Sequence, residues 1–241
     1  MDLQRDRLRV VLVSPRNPLN IGAAARAMSN FGFLHLRVVN PYQVAFREAR
    51  SAMGAAPLLA RAEEFKTVAD AVADCARVVG TTALGSRELH HPLRRLEYGA
   101  RLLRASLAAA PVALLFGSEK FGLANDDISH CHWLVRIPTR EEHGSMNLGQ
   151  AVAVCLYEIA RRAVTARPKP IKLATADENE RLTALLLATL AESGYLNPRV
   201  SVSTENKTRR MVRRLNLNTR DADVWTGIYR QILWKLRTGK G

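Results

Sequence analysis

The sequence predicts an α/β fold, a parallel sheet with helices on both faces, followed by a small α-helical C-terminal domain. Three observations carry this reading. Five short apolar, β-branched runs punctuate the first two thirds of the chain, helical stretches separate them, and a basic proline-rich segment then gives way to a purely helical remainder. With 241 residues, 47% of them apolar and 24% charged, the chain can bury a core and is too apolar to be disordered.

Taken in order, the runs at residues 8–13, 36–39, 78–82, 112–116 and 134–137 read as buried strands. Residues 21–31, 61–73 and 100–109 have helical character, and strands alternating with helices imply a parallel sheet covered on both sides. Residues 147–163 then repeat Leu148, Val152, Cys155, Leu156 and Ile159 at helical spacing. Arg167-Pro168-Lys169-Pro170-Ile171-Lys172 fits neither a helix nor a central strand, so residues 1–166 form one domain and 167–176 a linker. Residues 177–241 form the second domain: 177–192 carry Leu182, Leu185, Leu186 and Leu190 on one face, and Trp225, Ile228, Tyr229, Ile232, Leu233 and Leu236 make another amphipathic stripe.

Charge narrows the function. Thirty-six lysines and arginines against 22 acids give +14, of which +5 falls on residues 177–241, so both parts are basic and the expected partner is a polyanion. Nucleic acid is favoured over a membrane: no apolar stretch approaches the roughly 18 residues of a span, and there is no lipidation signal. Charge in the first six residues does not resemble a signal peptide, and the reading is cytoplasmic. Cys75, Cys131 and Cys155 are odd in number and lack any CxxC, which supports neither a disulfide framework nor a cysteine zinc site.

Four strand ends carry small and polar residues. The first strand runs into Ser14-Pro15-Arg16-Asn17-Pro18-Leu19-Asn20-Ile21-Gly22-Ala23-Ala24-Ala25-Arg26, where Asn20 can cap a helix and the small residues offer a smooth surface to another backbone. The third gives Gly80-Thr81-Thr82-Ala83, and the fourth Gly117-Ser118-Glu119-Lys120-Phe121-Gly122-Leu123. The fifth gives Ile137-Pro138, then His143-Gly144-Ser145-Met146-Asn147-Leu148 opening the next helix. Each alone reads as a tight turn or a helix cap. Together, at one carboxyl edge of a parallel sheet, the loops after the third, fourth and fifth strands suggest one pocket. A Ser145 hydrolase fails for want of GxSxG, and His130-Cys131-His132 or His90-His91 complete no zinc site, so no metal is expected. In the second domain Lys207, Arg209, Arg210, Arg213 and Arg214 form a run with no acid inside it, opposed by Met211, Val212 and Leu215. Their mutual repulsion points to phosphate contact, and these five are the candidate RNA-binding residues.

In order, Asn20 to Arg26, Leu115 to Leu123, and Ile137-Pro138 with Ser145-Met146-Asn147-Leu148 resemble the three motifs of the SpoU class of SPOUT RNA 2′-O-methyltransferases over about residues 8–163. The tail, with Ser193-Gly194-Tyr195, the 207–215 segment and Trp225-Thr226-Gly227-Ile228, looks like the TrmJ-type tRNA methyltransferases, which act at nucleotide 32 of the anticodon loop. The resemblance implies a C-terminal trefoil knot, an exception to the avoidance of knots, and a homodimer. It implies S-adenosylmethionine held by Thr81, Thr82, Ala83, Gly117, Ile137, Gly144, Ser145 and Met146. It also implies catalytic roles for Arg26, near the cofactor of the other subunit, and for Asn20, Glu119, Ser145 and Asn147. The expected substrate is tRNA, with rRNA methylation or non-catalytic RNA binding on the same fold as alternatives. Arginine holds its proton at neutral pH, so Arg26 is better suited to positioning ribose and phosphate than to taking a proton.

Overall fold

In a computed structural model of the chain, residues 5–51, 56–83, 90–140, 144–161, 172–196 and 201–239 are described. Glu141, Glu142 and His143, and residues 167–171 of the expected linker, lie outside them.

Among the described residues seven strands form one sheet: β1 (Leu8–Val13), β2 (His35–Val39), β3 (Glu63–Phe65), β4 (Arg77–Thr81), β5 (Leu93–Arg95), β6 (Val112–Phe116) and β7 (Trp133–Arg136). Their order is β3-β2-β1-β6-β4-β7-β5, and every pairing is parallel. The five longest are the five expected. β3 and β5 were not, because each has three residues, most of them charged. They are the two edge strands, where charge discourages pairing with another chain.

The helices are α1 (Pro18–Phe31), α2 (Gln43–Ser51), α3 (Ala56–Ala60), α4 (Val68–Val72), α5 (Leu96–Ala109), α6 (Asn125–Ser129), α7 (Leu148–Ala160), α8 (Ala176–Glu192), α9 (Ser201–Arg214) and α10 (Thr219–Thr238). The helix expected at 61–73 is instead β3 followed by α4, started by Thr67, whose hydroxyl accepts from the Asp70 amide at 3.1 Å. Alternation along the strands sorts the core into two layers. Val10 and Leu12 face a layer closed by α1, α5 and α7, while Val11 and Val13 face one holding Val72, Cys75, Ile128 and Cys131. No described helix is long and apolar enough to cross a membrane.

Beyond the sheet, α8 opens with a capping box: Thr175 Oγ1 accepts from the Glu178 amide at 3.1 Å, and Glu178 Oε2 accepts from the Thr175 amide at 2.7 Å. Leu182, Leu186 and Val212 form a small core with Leu190, Leu217 and Tyr229 against it. Of the three residues expected to oppose the basic run, only Val212 is buried; Met211 and Leu215 are exposed. The stripe on α10 is also only half covered, since Leu233 is buried while Trp225, Ile228 and Ile232 remain exposed. These helices adjoin the sheet through Ala176, whose amide donates to Cys75 O at 2.6 Å and whose side chain joins the second core layer.

Candidate functional site

Loops from three adjacent strands enclose a cavity of about 550 Å³ at the carboxyl edge of the sheet. From β4 come Thr81, Thr82 and Ala83; from the turn after β6, Gly117; from beyond β7, Ile137, Gly144, Ser145 and Met146. All eight expected cofactor contacts line this one cavity. The turn after β6 folds tightly on itself: the Gly122 amide donates to Ser118 O at 2.8 Å, with Gly122 at φ +66°. A β-carbon on Gly117 would lie 2.0 Å from the Gly122 carbonyl carbon. Turn geometry therefore accounts for both glycines by itself. Thr81 Oγ1 donates to Leu115 O at 2.9 Å and Thr139 Oγ1 to Gly144 O at 3.2 Å, fixing two of the walls. Phe121, 68% exposed with Lys120 Nζ 5.2 Å from its ring centroid, stands on the rim. Sequence reading passed over Phe121, Lys120 and Thr139, although the first two sit within two residues of Glu119.

Beside the cavity the three motifs are joined by side chains. Glu119 accepts from the Arg16 amide at 3.1 Å, the Asn17 amide at 3.0 Å and Asn20 Nδ2 at 3.1 Å. Asn20 Oδ1 accepts from Asn147 Nδ2 at 2.7 Å. Burial works to raise the Glu119 carboxyl, but its hydrogen bonds outweigh this and hold it below the ordinary carboxylate range. The expectation that Asn20 caps the helix is corrected. Asn17 is the cap, accepting from the Leu19 amide at 2.9 Å, with Pro18 at the first helical position; Asn20 lies inside the first turn, free to bridge Glu119 and Asn147. Asn147 does cap α7, accepting from the Gln150 amide at 3.3 Å, while its Nδ2 reaches Asn20.

The small residues of α1 serve close packing as expected, with a partner that was not foreseen. A β-carbon on Gly149 of α7 would lie 2.6 Å from Ala23 Cβ, so glycine there lets the two helices touch. Arg26 and Ser145 are both exposed, and Arg26 is not brought to the cavity of its own chain: it points from α1 to solvent.

The basic run divides into two sets. Lys207 and Arg214 are exposed and Arg210 is half-buried, but Arg209 and Arg213 turn inward, so their assignment as RNA contacts is corrected. Arg209 meets Glu205 at 2.7 Å, Glu180 at 3.1 Å, Asp126 at 3.7 Å and Ser129 Oγ at 3.1 Å. Arg213, with 0% exposure, donates to Glu180 at 3.2 Å and Ala176 O at 2.9 Å. Acids supplied by α8, α6 and the preceding turn of α9 relieve the repulsion that phosphates were invoked to relieve. The histidines belong to the same interface. Burial, then Arg209 and Arg213, push the His130 ring down to about 3, so its 3.8 Å approach to Glu180 is no ion pair. His132 Nδ1 accepts from the Val78 amide at 3.1 Å, at the margin of β4.

Residues 7–157 match the SpoU rRNA Methylase family. The chain is 35% identical over 237 residues to the tRNA (cytidine/uridine/adenosine-2′-O-)-methyltransferase TrmJ of Pseudomonas aeruginosa, covering 92% of each chain. It is 35% identical to the tRNA (cytidine/uridine-2′-O-)-methyltransferase TrmJ of Klebsiella pneumoniae, covering 93% of this chain and 96% of that one. The crystal structure of TrmJ from Z. mobilis is similar at TM-score 0.82 and 31% identity, over 93% of this chain and 98% of that one.

Proposed function

Because the chain belongs to the SpoU rRNA Methylase family, we propose that it is an S-adenosylmethionine-dependent methyltransferase acting on a ribose 2′-hydroxyl of tRNA, at cytidine or uridine 32 of the anticodon loop. The observation that carries this is the convergence of three strand ends on one cavity, with Asn20, Glu119 and Asn147 bonded to one another beside it. The choice of tRNA over rRNA draws on the helical part. The family match ends at residue 157, whereas the tRNA enzymes align over more than nine tenths of the chain.

Methyl transfer needs a donor, and the lining suits S-adenosylmethionine. The cavity has the size of a small-molecule site. Phe116, Ile137, Met146 and Leu148 give it apolar walls for a purine, and strand-end main chain with Ser145 and Thr82 gives it polar groups. When bound, this donor supplies a methyl group on a sulfonium that is itself the leaving group. What remains for the chain is to align the ribose and ease departure of its proton. Glu119, held ionised by three donors, is committed to fixing the 16–20 segment and is a weak base. Arg26, exposed and without a carboxylate partner among the described residues, suits the phosphate and ribose of the target nucleotide.

Its distance from its own cavity fits a site shared between subunits of a homodimer. Leu19, 80% exposed, lies two turns before Arg26 on α1, and Tyr157 on the adjoining α7 is also exposed. A second copy seated along α1 and α7 would cover both. The trefoil knot belongs to the same proposal, with the loops after β6 and β7 both folded against the cavity. Ribose-methylation mapping of total RNA from a deletion strain, repeated after adding the purified chain and S-adenosylmethionine, tests the reading. The expected result is loss and return of one 2′-O-methyl at tRNA nucleotide 32. A mark that returns in rRNA instead, or a chain that binds no S-adenosylmethionine, overturns it.

A further inference from the structure

Tyr98, in the first turn of α5, is 44% exposed, and two guanidiniums lie over its ring: Arg94 Cζ at 5.6 Å from the centroid and Arg101 Cζ at 5.1 Å. Both arginines are exposed, and among the described residues neither meets a carboxylate. Their neighbour Arg95 does, bonding Glu97 at 3.1 Å. Two like charges gathered on one aromatic ring, with Glu97 of the same turn engaged by Arg95, make a site with unfilled demand for anions.

Its position gives that demand a direction. β5 is the edge strand next to β7. Before β5, Arg214 Nη1 of the basic helix α9 donates to His90 O at 3.3 Å, and Arg210 and Arg214 both act on the His91 ring. At the carboxyl end of β5, Arg95 is in register with Arg136, the residue before cavity-lining Ile137. From a strand rise of about 3.3 Å and a strand spacing of about 4.8 Å, the path from His90 to the cavity wall is roughly 20 Å, with Arg94 and Tyr98 along it.

We infer that Arg94, Tyr98 and Arg101 form a contact for unpaired RNA, and that it carries the strand from Arg210 and Arg214 to the cavity. On the half-open ring a base stacks without sequence readout by taking the place of one guanidinium, and the arginines, drawn off the ring, take the flanking phosphates. The inference rests on RNA being the substrate, and it adds a second anchor on the sheet domain to the cations of α9.

The test is binding of an unmodified tRNA transcript to the full chain across a salt series. Replacing Arg94 and Arg101 together by Ala lowers the slope of log affinity against log salt by about 1.4, at roughly 0.7 per single-stranded phosphate contact, and the double Lys variant restores it. Tyr98→Ala weakens binding about tenfold with the slope unchanged, and Tyr98→Phe binds as wild type does. Arg95→Ala, whose arginine is already paired, changes the slope by less than half as much as the double variant. Thermal unfolding of every variant stays at the wild-type temperature, which separates loss of contact from loss of fold. If the double variant and Tyr98→Ala bind like wild type while the wild-type chain methylates tRNA, the inference is wrong and the substrate reading stands. A wild-type chain that neither binds nor methylates tRNA removes both.

Discussion

Asn147 Nδ2 donates to Asn20 Oδ1 at 2.7 Å, joining residues 127 apart in the chain. With Asn20 Nδ2 on Glu119 at 3.1 Å, two hydrogen bonds link the three segments that follow β1, β6 and β7. The link depends on the amides being amides. Asn20 must show its oxygen to one neighbour and its NH₂ to the other, and the carboxylate of Glu119 decides which.

Asn147→Ala and Asn147→Asp therefore part company. Alanine removes the cap of α7, costing about 1 kcal/mol, which for a chain of this size lowers Tm by about 2–4 °C. Aspartate caps as well as asparagine, so Tm should hold within about a degree. It would nonetheless set a second carboxylate against Asn20, and one of the two links is lost whichever way that amide turns. Methyl transfer should fall at least tenfold in both. An Asn147→Asp enzyme with wild-type kcat/KM would reduce Asn147 to a helix cap.

Glu119→Gln tests the other end by pH. A carboxyl held below its ordinary range in the folded chain adds stability that is fully present above the unfolded value of about 4.3 and is lost as pH falls through the folded value. The wild-type advantage over Glu119→Gln should be on the order of 1 kcal/mol at pH 7, discounted for exposure. It should begin to shrink as pH falls below about 4.3 and vanish once the folded carboxyl is protonated. Denaturant melts at a series of pH values read it directly, and a gap that does not narrow at all as pH falls below about 4.3 means the charge of Glu119 is not what matters.

What was legible in the sequence follows from where the causes lie. The five long strands carry their own apolar, β-branched signal, and in a parallel sheet the loops at their carboxyl ends meet without help from anything distant, so the cavity could be anticipated. β3 and β5 could not: Glu63-Glu64 and Arg94-Arg95 are strands only because β2 and β7 offer them an edge. Arg209 and Arg213 looked like free cations because Glu180, which neutralises both, is 29 and 33 residues away. Glu205, four residues before Arg209 and just outside the run, stands at helical pairing distance, so this one partner is legible in the sequence. Asn17 was legible too, standing directly before Pro18.

Arg26→Ala should lose methyl transfer while binding S-adenosylmethionine as wild type does, because Arg26 is exposed on α1 and lines no part of its own cavity. Calorimetry with the donor and single-turnover methylation of tRNA separate the two effects. Mixing this variant with one disabled in the cavity, such as Gly117→Ala, should recover activity if sites are shared between subunits, since a mixed dimer then holds one intact pair. Full activity in Arg26→Ala alone would place the RNA-positioning group elsewhere.

The split of the basic run into outward and inward cations gives two variants opposite signatures. Lys207, Arg210 and Arg214 lie on one side of α9, where burial and then the neighbouring Arg214 lower the Arg210 guanidinium from its ordinary value. Replacing all three by Ala should remove about two units of slope from log tRNA affinity against log salt and leave Tm nearly unchanged. Arg213 is different in kind. Burial lowers its guanidinium to about 10, which leaves it charged at neutral pH and dependent on Glu180 and Ala176 O. Arg213→Ala leaves Glu180 to Arg209 alone, takes the donor from Ala176 O and opens a void between α8 and α9, a loss of roughly 2–4 kcal/mol. In the folded variant the salt slope should stay at the wild-type value, because Arg213 faces no solvent through which a phosphate could reach it. If Arg213→Ala instead lowers the slope by about one at unchanged Tm, the inward packing of α9 opens when RNA binds, and Arg213 is a phosphate contact after all.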